Sequence, residues 1–290
     1  MEANLNRSPI RRLVWGLVLL VVLAGGAWAG AGLLKGNDAP AVTTTVPVLQ
    51  KLHVIFPEGF TRQEMADSVD AVRQIAIDSR HVTPRLTRDG YLDATAKAKP
   101  PRQFRKDWPG NRIEGFLFPA TYEFTQYTSS VRLVRDQLSF FAREWRKVNL
   151  SYARSKNLTP YDVLIIASMI EKEVAVPSER RLVAAVIYNR LHRRMALQID
   201  ATTRYGLGIP PTQSLTQSDL SSSSPYNTRN RPGLPPTPIA NPGLASIQAA
   251  AHPAPVDYLF FLRKPDKKHH FFTASQAEFD RKSCEYGYTC

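Results

Sequence analysis

The stretch Asp162-Val-Leu-Ile-Ile-Ala-Ser-Met-Ile-Glu-Lys-Glu-Val-Ala-Val-Pro177 constrains the fold more than any other. It reads as one helix, apolar over most of its surface and stopped by a proline, so the rest of the chain has to cover it. At roughly 100° per residue, Ile165, Ile166, Met169, Ile170 and Val174 gather on one broad face, and Glu173 projects from its middle. Glu171 lies roughly 160° away on the same wheel, which keeps the two carboxylates out of a common cleft. A carboxyl among apolar side chains resists ionisation, and the negative end of the helix dipole pushes the same way. A carboxyl still protonated near neutral pH is what a general acid requires. The alternative is an ion pair from Glu173 to Arg180 or Arg181 that merely closes a surface.

The chain has room for one large domain or two smaller ones without disulfide staples. Its net charge of +13 favours an anionic partner. Nucleic acid is disfavoured, because the chain has neither a zinc-finger spacing nor a dense basic helix, and its cations are spread from Arg7 to Lys282. Only Cys284 and Cys290 are present, either as a small disulfide loop or as free thiols. They make no closed metal site, and no metal or organic cofactor is expected.

Arg7, Arg11 and Arg12 precede an uncharged run from Leu13 to Leu34, long enough as a helix (roughly 33 Å) to span a bilayer core. Positive charge in front predicts a cytoplasmic N-terminus and an exported remainder. Ala27-Trp28-Ala29 resembles a signal cleavage site, but the apolar run continues past it, which favours a retained anchor. Residues 35–50 read as a linker. The spacing then predicts a strand at His53–Phe56, a helix from Arg62 capped by Thr61 and Glu64, and a short helix within 86–98. An aromatic block spans Ile113–Phe124, and helices follow over 131–148 and 178–192. Gln198, Asp200, Thr202 and Tyr205 supply hydrogen-bonding groups at short spacing, and Pro225–Pro238 is stiff and extended. Asn241 caps a helix to about Ala251, a hairpin joins Tyr258–Leu262 to His270–Thr273, and Ser275 opens a last helix.

Taken in order, Pro57-Glu-Gly59, Ile113-Glu-Gly-Phe-Leu-Phe-Pro119, Ala167-Ser-Met-Ile-Glu-Lys-Glu173, Asn189-Arg-Leu191, Tyr205-Gly-Leu-Gly208, Ser224-Pro-Tyr-Asn-Thr228, Gly233-Leu-Pro-Pro236, Ile239-Ala-Asn-Pro-Gly243 and Ala249-Ala-Ala-His-Pro253 resemble the endolytic murein transglycosylases of the YceG-like family. The likeness runs from about residue 51 to 280. Departures include Ala120 for an aspartate, Val174 and Ile199 for threonines, Ala201 for a proline, and a short stretch before Pro57.

The resemblance implies an α+β protein: a cytoplasmic tail (1–12), a transmembrane anchor (13–34), a linker (35–50), a LysM-like subdomain (51–100), a catalytic domain (101–283) and a C-terminal tail (284–290). It implies a single-pass protein of the inner membrane, with its catalytic domain outside the cytoplasm. The expected activity is internal cleavage of nascent peptidoglycan at the bond between N-acetylmuramic acid and N-acetylglucosamine, leaving a 1,6-anhydro end. Glu173 would act as acid and then base, with Glu114, Gln198, Asp200, Tyr205, Tyr226 and Asn227 binding and orienting the sugars. Peptidoglycan synthases are the expected protein partners. Two alternatives stand beside this one. The first is a hydrolytic muramidase with Glu114 or Asp200 as second carboxylate; the second is a non-catalytic wall-binding scaffold.

Overall fold

In the computed structural model, which describes residues 50–110 and 112–288, β1 (Leu52–Ile55) pairs antiparallel with β2 (Thr121–Phe124). Val54 lies opposite Tyr122, and alternation sends Leu52 and Val54 into the core. The second strand lies inside the aromatic block, where the run of rings masks the period of two. Thr61 then opens α1 (Arg62–Arg80) with a capping box: its hydroxyl accepts from the Glu64 N–H at 3.2 Å, and the Glu64 carboxylate accepts from the Thr61 N–H at 2.7 Å. α2 (Arg88–Lys97) packs beside it and α3 (Ser130–Trp145) packs on α2, where the buried Tyr91 hydroxyl donates to Gln137 at 2.8 Å. Phe104, Phe116, Phe141 and Trp145 form an aromatic nest with centroids 4.7–5.6 Å apart, three of its pairs edge-to-face and Phe141 stacked on Trp145.

After the short α4 (Ser151–Ser155) comes α5 (Pro160–Glu173), the strut of the molecule. Thr159 and Asp162 form its capping box and Pro160 fills the first turn. Tyr161 and every residue from Val163 to Ile170 are buried. The burial has a cause on each side: α6 (Arg180–His192), α7 (Asp200–Leu207) and α9 (Leu244–Ala251) all pack against α5. Ser168, a polar residue in this stripe, is satisfied twice, donating to the Ile165 carbonyl at 2.7 Å and accepting from the Ile239 N–H at 3.0 Å. Between α7 and α9 lies α8 (Gln217–Leu220), followed by the extended, proline-rich segment. The chain closes with the hairpin β3 (Phe260–Arg263) and β4 (His270–Thr273), then α10 (Gln276–Glu285), capped by Ser275. Cys284 is disulfide-bonded.

Two expectations need correcting here. Asn241 does not cap α9, which starts after Gly243. Its side chain instead accepts from the Gly115 and Leu117 N–H groups at 2.9 and 3.0 Å, and donates to the Phe60 carbonyl and to Glu114 at 2.9 and 2.7 Å. Buried backbone groups in a turn need partners, and this amide meets four needs at once. The second correction concerns location. Among the described residues, no helix is long and apolar enough to cross a membrane, so the single-pass inner-membrane assignment does not stand. Residues 13–34, on which it rested, lie outside the described residues, as do the tail before them and nearly all of the linker.

Asn241→Ala orphans the Gly115 and Leu117 N–H groups and one oxygen of Glu114 inside the core. The expected loss, about 3 kcal/mol, is read from urea unfolding. A change of less than about 0.5 kcal/mol would show that these bonds do not hold the fold.

Candidate active site

Glu173 is the last residue of α5, with Val174 closing the helix in extended conformation. Its surface is partly open to solvent, while Ile166, Met169 and Ile170 beneath it are wholly buried. Burial pushes its carboxyl up to about 7. The Arg263 guanidinium opposes that push, the Asp200 carboxylate adds to it, and a hydrogen bond from the Ala201 backbone and the charge of Arg204 oppose it. Among the described residues Glu173 has no ion pair within 4.0 Å. The arginines that might have neutralised it are engaged elsewhere. Arg180 donates to Ser246 at 3.1 Å and lies 4.0 Å from Glu171, and Arg181 donates to the carbonyls of His252 and Pro253. Glu171 faces away from Glu173 and accepts the Gly243 N–H at 2.9 Å, at the start of α9.

α7 carries the next groups. Gln198, just before it, is exposed, adopts a left-handed backbone with φ of 56°, and accepts from Arg190 at 3.1 Å. Asp200 opens the helix and pairs with Arg229 at 2.6 Å. Tyr205, one turn further on, is half-buried and donates its hydroxyl to Glu114 at 3.1 Å. Arg112 sits over the rings of Tyr205 and Tyr226, 5.9 and 6.0 Å from their centroids.

The remaining residues picked from sequence lie deeper. Glu114 is 4% exposed, and its two oxygens accept from the Arg62 N–H at 2.8 Å, Asn241 at 2.7 Å and Tyr205. Burial pushes this carboxyl up to about 7 as well, against the pull of those donors. The Tyr226 hydroxyl bonds Thr237 at 2.8 Å. Asn227 is fully buried: its amide donates to the carbonyls of Leu220 and Ser222, and its oxygen accepts from Thr203 and the Arg229 N–H. The structure thus brings Asp200, at the start of α7, to Glu173 at the end of α5, leaves Gln198 just before α7 on Arg190, and sets Glu114, Tyr226 and Asn227 behind α7. Sequence reasoning passed over Arg112, Arg204 and Arg263. Two tyrosines at the right positions were the only available signal for Arg112, and nothing local marks the other two. Among the described residues no cluster of three or more His, Cys, Asp or Glu side chains is placed to hold a metal ion.

Glu173→Gln should stabilise the protein at pH 8 by on the order of 1–3 kcal/mol. The sign follows from the raised folded pKa of about 7 against an ordinary 4.5: between those values the folded state holds more protons, so wild-type stability falls as pH rises. The gain should vanish below about pH 4.5, where both side chains are neutral, and urea titrations at pH 4 and 8 measure it. Equal stability of the two proteins at pH 8 would place Glu173 in ordinary water.

Comparison with known proteins now bears on this arrangement. Residues 33–285 match the model of the YceG-like family. An endolytic murein transglycosylase of Bacillus subtilis (strain 168) is 38% identical over 152 residues, covering 52% of this chain and 42% of that protein. One from Streptococcus pneumoniae (strain R6) is 32% identical over 264 residues, covering 87% of this chain and 46% of that protein. The chain therefore spans about half the length, or less, of these curated relatives. A crystal structure of a yceG-like protein from Listeria monocytogenes superposes with a TM-score of 0.68 at 28% identity, covering 80% of this chain and 76% of that one.

Proposed function

The chain belongs to the YceG-like family, and on that premise we propose that it cuts peptidoglycan glycan strands internally as a lytic transglycosylase. The observation that carries the proposal is the state of Glu173: a carboxyl held up to about 7, reachable from solvent, and without an ion pair among the described residues. Protonated Glu173 gives its proton to the glycosidic oxygen as the bond from muramyl C1 breaks. The carboxylate so formed takes the proton of the C6 hydroxyl, whose oxygen closes on C1 to give the 1,6-anhydro end. The glutamate finishes protonated, as it began, and no water is consumed. One titratable group with a pKa near ambient pH can serve both steps, because its two forms are similarly populated.

Gln198, Asp200 and the ring of Tyr205 are proposed to meet the sugars, with Glu114, Tyr226 and Asn227 supporting them from behind. Arg263 and Arg204 keep the carboxylate form from becoming too costly, and Asp200 keeps it from becoming too stable. In this reading residues 51–100 form a LysM-like subdomain and 101–283 the catalytic domain, tied by the β1–β2 pairing. Peptidoglycan synthases, which supply the strands, are the proposed partners.

Uncross-linked glycan incubated with the purified protein should gain anhydro-muramyl ends, and Glu173→Gln should slow this by roughly 10²–10⁴-fold. Products one water heavier would move the chain to the hydrolases, and no products from wild type would leave it a binding protein. Where protonation of the leaving oxygen limits the rate, activity should fall as pH rises through about 7, since only the protonated carboxyl starts the reaction. A rate that stays flat from pH 6 to 9 would exclude Glu173 as that acid.

A further inference from the structure

α7 is clamped at both ends. Near its start, the Thr202 and Thr228 hydroxyls lie 2.9 Å apart and Thr203 donates to Asn227 at 3.2 Å. Near its far end, the Tyr205 hydroxyl donates to Glu114. Glu114 cannot follow a moving Tyr205, because its other oxygen is held by the first N–H of α1 and by Asn241. The space behind α7 is closed as well: a Cβ on Gly206 would come within 2.6 Å of Tyr226. Ahead of these clamps, the first turn of α7, which packs against α5, brings the Ala201 backbone N–H and the Asp200 carboxylate to bear on Glu173 at the end of α5.

We propose that Glu114 is a positioning residue for the chemistry at Glu173: through the Tyr205 hydroxyl it fixes α7, and α7 fixes the backbone N–H and the carboxylate beside the acid. This rests on the role given to Glu173 above. It also accounts for the burial of Glu114, which would have to leave the core to touch a sugar. The charged and titratable groups around it come from α1 (Arg62), α2 (Tyr91), the loop before it (Arg112) and α7 (Tyr205).

The test compares wild type, Glu173→Gln, Tyr205→Phe, Glu114→Gln and the Glu114→Gln/Tyr205→Phe double variant, scoring anhydro ends on uncross-linked glycan across substrate concentrations. Each single change behind α7 should lower kcat about tenfold and leave KM within about twofold, since small misplacements of a reacting group cost rate rather than binding. The double variant should be no slower than the slower single one, because both changes break the same chain of contacts. Losses that multiply, or a raised KM with kcat kept, would overturn the proposal, the latter by making the Tyr205 hydroxyl a sugar contact instead of a link to Glu114. If Glu114→Gln does not fold, Tyr205→Phe decides by its own kcat–KM split. Glu173→Gln cutting as fast as wild type would instead sink the functional reading, and that outcome is seen without either variant behind α7.

Discussion

The side-chain amide of Asn241 is the bond on which the remainder of this structure depends. It joins three segments far apart in sequence: the turn after β1 through Phe60, the aromatic loop through Gly115 and Leu117, and its own turn ahead of α9. The backbone reinforces the join, the Gly59 N–H donating to the Asn241 carbonyl and the Asn241 N–H to the Phe60 carbonyl, both at 2.9 Å. Inside a core such bonds carry little net energy while intact but are costly to leave unmade, so they specify one arrangement more than they stabilise it. That arrangement sets where Glu114 points, and through Glu114 where Tyr205 and α7 lie.

The end of α5 separates two carboxylates that chemistry would confuse if they shared a face. Glu171 is a structural anion, holding the Gly243 N–H and facing Arg180. Glu173, two residues on, faces α7 and β3 instead. Its carboxyl is governed by two opposed influences. Desolvation is the larger, and the arginines and the Ala201 bond temper it without forming a contact ion pair. A tight Arg–carboxylate pair would have pulled the group down by one or more units and removed its proton at neutral pH. The distance kept by Arg263 and Arg204 therefore matters as much as their charge.

Much of the scaffold could be read from residues alone because the signals were local. Thr61 with Glu64 and Ser275 mark helix starts by side-chain-to-backbone bonds that span three residues, whereas the capping box of Thr159 and Asp162, which starts α5 two residues before the apolar stretch read from Asp162, was passed over. The place of Glu173 in an apolar stripe follows from helical period in the same way. What stayed hidden was long-range. Asn241 looked like a cap because Asn-Pro-Gly is a cap signature, yet its partners lie more than a hundred positions away. Gln198 through Tyr205 read only as hydrogen-bonding groups at short spacing, whereas the structure makes a helix of them, with Thr202 and Thr203 bonded to Thr228 and Asn227 across the chain. Glu114 and Asn227 offer sugar-binding chemistry on paper, and only the fold reveals that their polar atoms are already taken.

Gly115 carries the last consequence. Its backbone has φ of 90°, and a Cβ there would fall 2.7 Å from the ring of Pro238. The proline-rich segment is thus seated directly on bare backbone next to Glu114. Any side chain introduced at 115 would wedge that segment outward and twist its neighbour off its three donors. A residue with no reactive atom and no path to solvent would then register in an activity screen as though it belonged to the catalytic apparatus.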